Sequence, residues 1–258
     1  MTSSFEDSLS SLPSIANPRI IPTGSIKLDA ALGIGGIPGG LLVEISGPQS
    51  SGKTTLCQHI MAESQKLDGV CALIDADQTW DPRYAIRCGV DINRLVVCNT
   101  FNTAAALDSL SILAKSGALS VIVLDSISSL VPFTCSNPDQ SRHDREDPEL
   151  RISKTLRLIS HSIRRNQTAV IFTCLTLPRN QAIYHSLAFH TYRLALKLHA
   201  SIRLRLSSIN ILRKSGKNIG RRVKAQIIKN SFHPCQQFAD LDIMYSSGII
   251  RSGEFFDL

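Results

Sequence analysis

Carboxylates are missing from a long stretch of this sequence. Between Leu150 and Ala239 there is no Asp or Glu, although the same stretch holds 17 Lys/Arg and five of the seven histidines. The net charge is therefore unevenly distributed: residues 1–149 carry −7, from 10 Lys/Arg and 17 Asp/Glu, and residues 150–258 carry +14, from 18 and 4. A basic face can be ordinary solvated surface, but so long a stretch without an acid favours a polyanionic partner, most simply nucleic acid.

Three other features are scarce or absent. No apolar run approaches the length that crosses a bilayer, so no membrane association is expected. The first twenty residues contain Glu6, Asp7 and Pro13 and lack an apolar segment, so we expect no secretory signal and a cytoplasmic location. The seven cysteines form no Cys-x-x-Cys pair and no Cys/His cluster has ligand spacing, which argues against a zinc site and predicts buried thiols in a reducing compartment.

Short apolar runs alternate with segments of helical spacing over most of the chain. Strands are predicted at 41–46, 70–75, 95–98, 121–125 and 169–173, and helices at 54–66, 103–115 and 150–165. This alternation indicates an α/β fold with a mostly parallel central sheet and helices on both faces. Later strands at 200–206, 223–229 and 241–245 predict an antiparallel C-terminal edge. Residues 1–19, rich in Ser and Pro, predict a tail or short docking arm before one domain at 20–258.

A phosphate-binding motif lies between the first predicted strand and helix. The pattern G-x-x-x-x-G-K-[ST] is matched by Gly47, Pro48, Gln49, Ser50, Ser51, Gly52, Lys53 and Thr54. In such a loop backbone N–H groups surround phosphate oxygens, the lysine reaches the β- and γ-phosphates, and the Thr hydroxyl ligates Mg²⁺. Asp125, at the tip of a neighbouring apolar strand, is the expected second partner of Mg²⁺. The motif therefore predicts a P-loop NTPase core that binds ATP and Mg²⁺.

Several further segments resemble one family of P-loop proteins, the bacterial RecA recombinases. They are Ile21 to Ser25, Leu28-Asp29, Ala31 to Gly33, Gly35 to Pro38, Gly47 to Thr55, Ile74 to Asp77, Asp81-Pro82, Val121 to Ser126, Ala195 to Lys197, Ala200 to Leu204, Val223-Lys224 and Lys229-Asn230. The resemblance runs from about Ile20 to the last residue. It implies a RecA-like core and a DNA-dependent ATPase that polymerises on single-stranded DNA, promotes homologous pairing and serves recombination, DNA repair and the SOS response to DNA damage.

The resemblance also implies roles for individual residues. The family's adenine contacts fall on Asp81, Tyr84 and Tyr245, and Thr55 completes its nucleotide loop. An aromatic ring against the base and a carboxylate near its exocyclic amine are chemically sensible. The lysine that reaches a neighbouring subunit's ATP falls on Lys229, where a cation would act in trans.

The sequence departs from the family at critical positions. The catalytic carboxylate, which acts with Lys53, falls on Asp77 and is one methylene shorter than the family's glutamate; misplacement by about an ångström can cost about a hundredfold in rate. The glutamine that senses the γ-phosphate falls on Leu175, which cannot hydrogen-bond phosphate. A second cross-subunit lysine falls on Ser231, and the glycine-rich end of a DNA loop becomes residues 190–193. No C-terminal domain is expected after the core. Weak ATP hydrolysis follows.

Two segments occupy the positions of the family's DNA loops. The first, at about 133–149, is mixed in charge, whereas the second, at 177–197, contains no acid. Cations interleaved with aromatic rings suit single strands, because cations hold the backbone while rings stack on bases. The alternative is a helix with its Arg and Lys in water. The DNA contacts that we predict are Arg142, Arg145, Arg179, Tyr192, Arg193 and Lys197.

Two classes of function remain open. The first is a divergent recombinase that binds ATP and single-stranded DNA, with duplex DNA as an alternative, hydrolyses ATP slowly and assembles into homo-oligomers or filaments. The second is a catalytically impaired accessory protein that binds ATP and DNA, or a recombinase filament, without strand exchange. A third class, a P-loop kinase for a small molecule, lacks an evident Arg-rich lid, and the basic half argues against it.

Overall fold

The computed structural model describes residues 18–130, 148–176, 194–234 and 237–250. The strands are β1 (Ile20–Ile21), β2 (Ile37–Pro38), β3 (Leu42–Gly47), β4 (Cys71–Asp75), β5 (Leu95–Asn99), β6 (Val121–Asp125), β7 (Ala169–Leu175), β8 (Ile202–Lys214), β9 (Lys217–Asn230), β10 (Phe238–Met244) and β11 (Gly248–Ile249). The helices are α1 (Ile26–Leu32), α2 (Lys53–Lys66), α3 (Pro82–Arg87), α4 (Thr103–Ser116) and α5 (Pro148–Asn166). Short 3₁₀ turns span Ile92–Arg94 and Ile127–Leu130, and residues 194–199 are helical. Within these ranges no helix is both long and apolar enough to span a bilayer.

One sheet dominates the described residues. Its strand order is β11-β10-β9-β8-β3-β7-β6-β4-β5. All neighbours from β8 to β5 run parallel, and β8 to β11 pair antiparallel. The predicted α/β class, the parallel centre and the antiparallel C-terminal edge are therefore confirmed.

The parallel strands separate two apolar cores. Successive strand residues point to opposite faces of a sheet. In β3, Val43 and Ile45 lie in the core beneath α1, α2 and α3, whereas Leu42 lies in the core beneath α4 and α5. Val123 and Leu124 of β6 divide in the same way. Burial on both faces explains why these strands are apolar throughout, which is the pattern from which the parallel sheet was predicted.

The antiparallel edge is longer than the sequence predicts. The strands expected at 200–206 and 223–229 continue outward as a ribbon that turns at Ser215 and Gly216, whose φ angles are 50° and 75°. Positive φ at both positions is typical of a two-residue hairpin turn. The outer part of this ribbon, residues 207–219, is mostly exposed and lacks the apolar alternation that reveals a half-buried strand.

The carboxyl ends of the parallel strands meet at one edge of the sheet. Gly47 ends β3, Asp125 ends β6, and Leu175 ends β7; Gly47 and Leu175 pair in register. Asp75 at the end of β4 pairs with Asp125. Ligand sites of open α/β sheets lie at this edge, and the predicted nucleotide residues converge here.

Candidate functional site

The phosphate-binding loop connects β3 to α2, from Gly47 to Lys53. Gly52 precedes the helix with φ 89°, a conformation that residues with a side chain rarely adopt. A Cβ at Gly52 would lie 2.5 Å from Ile243 Cδ1 on β10, and one at Gly47 would lie 2.5 Å from Ser51 Oγ. Substitution of either glycine is therefore unfavourable, Gly52 because of its positive φ and Gly47 because its Cβ would also lie 2.7 Å from the Leu206 carbonyl oxygen.

Lys53 folds back over its own loop. Its Nζ donates hydrogen bonds to the carbonyl oxygens of Gly47, at 3.2 Å, and Pro48, at 2.9 Å. Burial lowers the pKa of Lys53, while the negative charges of Asp125 and Asp77 raise it. The ammonium group of Lys53 thus lies among backbone carbonyl oxygens and near two carboxylates. A bound anionic ligand would be a further partner of opposite charge for it.

Asp125 and Thr54 form a pair of oxygen donors beside this lysine. Asp125 is buried; its Oδ2 accepts a hydrogen bond from Thr54 Oγ1 at 2.6 Å, and its Oδ1 accepts one from the Thr173 hydroxyl on β7. Burial raises the pKa of Asp125; the two hydroxyl hydrogen bonds lower it, and Asp77 raises it further. A carboxylate and a hydroxyl at this separation are the kind of hard oxygen ligands that Mg²⁺ takes. The side chains of Thr54 and Asp125 therefore fit the predicted Mg²⁺ ion.

A cavity of about 510 Å³ opens beside the loop. It is lined by Ser50, Ser51, Gly52, Lys53, Thr54, Thr55, Tyr84, Arg221, Val223, Ile243 and Tyr245. The Tyr84 hydroxyl lies 3.2 Å from Thr55 Oγ1, and burial raises the pKa of Tyr84. Tyr245 is about half exposed. The volume and the two aromatic rings suit a ligand of nucleotide size with one planar group.

Asp81, the third predicted adenine contact, lies outside the lining of this cavity. Its carboxylate accepts a hydrogen bond from Arg83 N at 2.8 Å and caps the N-terminus of α3. The cap fixes the short helix that carries Tyr84. A direct adenine contact by Asp81 stays a prediction.

Arg221 of β9 also reaches the cavity, although no sequence motif marks it. Its Nη1 donates to the Ser50 carbonyl at 2.7 Å, and its Nε is buried with no hydrogen-bond partner among the described residues. Ser51 Oγ in the loop is also buried without a partner there. Buried donors that lack an acceptor beside a phosphate loop fit an anionic ligand. The one sequence signal was positive charge, which Arg221 shares with the other 16 cations of the acid-free stretch.

Asp77 lies two residues beyond β4, near the same centre. Its backbone N donates to the Asp125 carbonyl at 3.3 Å. Its Oδ1 accepts hydrogen bonds from Ser126 Oγ, at 3.0 Å, and from the Ser129 hydroxyl. The backbone hydrogen bond places Asp77 beside Asp125, and the charge of Asp77 raises the pKa values of both Lys53 and Asp125. The structure thus brings the two predicted catalytic residues together.

Of the remaining departures from the family, Leu175 lies at the carboxyl edge of the sheet, Ser231 lies at the opposite edge near the start of β3, and residues 190–193 lie outside the described residues. Leu175 ends β7, and its backbone N donates to Ser128 Oγ at 2.8 Å. Ser231 Oγ donates to a backbone carbonyl at 3.1 Å. Lys229 Nζ donates to the Lys197 carbonyl at 3.4 Å, so the predicted inter-subunit and DNA-contacting lysines are neighbours.

Most predicted DNA contacts lie outside the described residues: Arg142, Arg145, Arg179, Tyr192 and Arg193. Lys197 is described and exposed. Elsewhere on α5, β8 and β9 there are exposed cations that form no ion pair within the described ranges, such as Arg157, Arg205 and Lys214. Arg203 and Arg222 do have acidic partners, Glu44 and Asp242.

Comparisons with known proteins point to a single family. The family model of the RecA N-terminal domain matches residues 8–250. "Protein RecA" of Chloroflexus aurantiacus is 42% identical over 238 residues, which cover 92% of this chain and 68% of that protein. "Protein RecA" of Roseiflexus sp. (strain RS-1) is 41% identical over 93% of this chain and 68% of its own, and that of Rickettsia prowazekii is 39% identical over 92% and 70%. The chain thus spans slightly more than two thirds of these relatives.

Proposed function

Because this chain belongs to the RecA family, we propose that it is an ATP- and single-stranded-DNA-binding protein of homologous recombination and DNA repair that hydrolyses ATP slowly. The observation that carries the proposal is the hydrogen-bonded Thr54–Asp125 pair beside Lys53, on a loop whose glycines cannot be replaced without a clash. The ammonium group, the hydroxyl–carboxylate pair and the glycine-containing loop each match a need of Mg²⁺-nucleotide binding.

The cavity residues hold the nucleotide. Lys53 and the backbone N–H groups of the loop bind the phosphates, and Arg221 adds a second cation above Ser50. Tyr84 and Tyr245 contact the base. Thr54 and Asp125 would hold Mg²⁺, which when bound supplies charge neutralisation for the β- and γ-phosphates.

Asp77 is the residue that orients the attacking water. Its carboxylate is exposed, and its negative charge acts on both Lys53 and Asp125. The shorter side chain holds water less well than a glutamate would, which is the physical reason for slow turnover.

The basic half of the chain binds DNA through its phosphates. The exposed cations on α5, β8 and β9 supply a sequence-independent attraction that weakens as salt rises. Lys197 and Lys229 extend this surface toward a neighbouring copy or a recombinase filament, where Lys229 would reach the bound ATP.

The direct test is ATP turnover with and without single-stranded DNA, at low and at moderate salt. We expect slow turnover that single-stranded DNA stimulates, with stimulation declining as salt rises. Turnover indifferent to DNA at every salt concentration would remove the DNA-dependent ATPase from the proposal.

Arg221→Met is expected to weaken ATP binding about tenfold, since one charge-assisted contact to phosphate is lost. Titration of a fluorescent ATP analogue measures this. Arg213→Met, at the exposed tip of the same ribbon, is the matched control and should bind ATP as the native chain does. Equal affinity of Arg221→Met and Arg213→Met would show that Arg221 serves only the Ser50 carbonyl.

Asp77→Glu is expected to raise ATP turnover several-fold, because the added methylene restores the reach of the family's glutamate. Asp77 is exposed, so the longer side chain fits. Steady-state turnover at saturating ATP measures the effect. Unchanged or lower turnover would mean that Asp77 is not the water-orienting residue.

The accessory-protein function is favoured by one observation, the end of β7. Leu175 offers no side-chain donor where the family senses the γ-phosphate, and its backbone N is already bound by Ser128. A protein with leucine at the end of β7 would bind ATP, but the bound γ-phosphate would not change its affinity for DNA. ATP binding that leaves DNA affinity unchanged, together with turnover insensitive to DNA, distinguishes this function from the first.

A further inference from the structure

Three serines follow Asp125 at the carboxyl edge of the sheet. Ser126 is the next residue, and Ser128 and Ser129 lie in the 3₁₀ turn Ile127–Leu130. Ser126 Oγ and Ser129 Oγ are 3.0 Å apart, and each donates to the Asp77 carboxylate. Ser126 and Ser129 therefore connect the end of β6 to Asp77, two residues beyond β4.

The contacts to Asp77 are one-sided. Its Oδ1 accepts from Ser126 Oγ, from the Ser129 hydroxyl and, at a long 3.4 Å, from Ser126 N. Every hydrogen bond of this carboxylate to the described residues ends on Oδ1, so Oδ2 keeps its acceptor capacity. The backbone is tied as well, because Ala76 N and Asp77 N both donate to the Asp125 carbonyl.

We propose that Ser129, with Ser126, is a positioning residue that fixes the Asp77 carboxylate so that Oδ2 holds the attacking water; this rests on the proposed ATPase function. In the reaction the water oxygen bonds to the γ-phosphorus while the bond from that phosphorus to the β,γ-bridging oxygen breaks. The bond's electron pair leaves on ADP, and the water proton passes through Oδ2 to solvent.

The physical reason is the length of the side chain. Aspartate turns about two torsions only, and a short carboxylate must be aimed accurately to serve a water that it barely reaches. The hydrogen bonds from the Ser126 and Ser129 hydroxyls to Oδ1 fix the orientation of the carboxylate. They leave Oδ2 available to the attacking water. The third serine contacts β7 instead, where Ser128 Oγ accepts a hydrogen bond from Leu175 N.

The test compares two variants at position 129 with the native protein, each in the full chain. Ser129→Ala is expected to lower kcat about five- to tenfold with KM for ATP unchanged, the effect of losing one hydrogen bond that acts on the reacting geometry. Ser129→Thr, which keeps the hydroxyl at an exposed position, should restore kcat. Lys115→Ala, in the last turn of α4, is the unrelated control.

Two further experiments distinguish the positioning of Asp77 by Ser129 from a general structural role of Ser129. In an Asp77→Asn background Ser129→Ala should have no additional effect on kcat, because both substitutions remove the same function. A loss in that background as large as in the native chain would overturn the proposal, and so would a rise in KM with kcat unchanged. If no turnover depends on Lys53, the ATPase function itself fails. Lys53-dependent turnover that is indifferent to Ser129→Ala overturns the positioning role alone.

Discussion

Lys53→Ala is expected to lower ATP turnover at least about 100-fold and to remove the thermal stabilisation by Mg²⁺-ATP. Removing one preorganised group that stabilises transition-state charge typically costs about 10²–10³ in rate. Here the ammonium lies inside the loop, hydrogen-bonded to Gly47 and Pro48 carbonyls and near the carboxylates of Asp77 and Asp125. Without it these two carboxylates repel the phosphates more strongly, and Arg221 remains as the other cation of the cavity.

The measurement is turnover with and without single-stranded DNA, paired with melting curves with and without Mg²⁺-ATP. Lys115→Ala removes an equivalent charge from the last turn of α4, away from the site, and should match the native chain in both. Residual turnover within threefold of native would show that another cation, Arg221 first, carries the phosphate charge.

Asp125→Asn is expected to raise the melting temperature of the ligand-free protein by about 3 °C near neutral pH and to abolish stabilisation by Mg²⁺-ATP. Asp125 is a buried carboxylate whose pKa burial raises above the ordinary 3.8. Asparagine removes that buried charge; its single oxygen accepts from one of the Thr54 and Thr173 hydroxyls, and the other hydroxyl must turn to accept from the amide NH₂. A change of about 1 kcal/mol moves the melting temperature of a domain of this size by about 2–4 °C.

The contribution of Asp125 to the pH dependence of the free energy of unfolding has a definite sign. Between 3.8 and the raised pKa of Asp125 the folded state binds more protons than the unfolded state, so the free energy of unfolding falls as pH rises through this window. The stabilising effect of Asp125→Asn should therefore be largest above the window and vanish at its acidic end. Melting curves from acidic to neutral pH measure it.

The control for this variant is Asp68→Asn, an exposed acid whose side chain lies 3.9 Å from Arg94. It should change neither the pH profile nor the response to Mg²⁺-ATP. Persistence of full Mg²⁺-ATP stabilisation in Asp125→Asn would mean that Asp125 is not a metal partner, whatever its effect on the ligand-free protein.

Local patterns were sufficient for the fold class and the phosphate loop. Strands buried on both faces must be apolar throughout, and the phosphate loop needs glycine, lysine and threonine at fixed offsets. Both features can therefore be recognised from consecutive residues. Asp125 was found in the same way, because a carboxylate at the tip of an apolar strand needs no tertiary contact to be noticed. The outer ribbon of β8 and β9 was missed because exposed strands carry no apolar alternation.

By itself the sequence determined the α/β class and the phosphate-binding motif, since both can be recognised from consecutive residues, and the family followed from its resemblance to the bacterial RecA recombinases. The tertiary structure alone decided which distant side chains complete the site. Arg221 reaches Ser50 from 171 residues away, and Ser129 reaches Asp77 from 52 residues away. Neither contact follows from spacing, because strand order and the length of the β8–β9 ribbon bring these residues together.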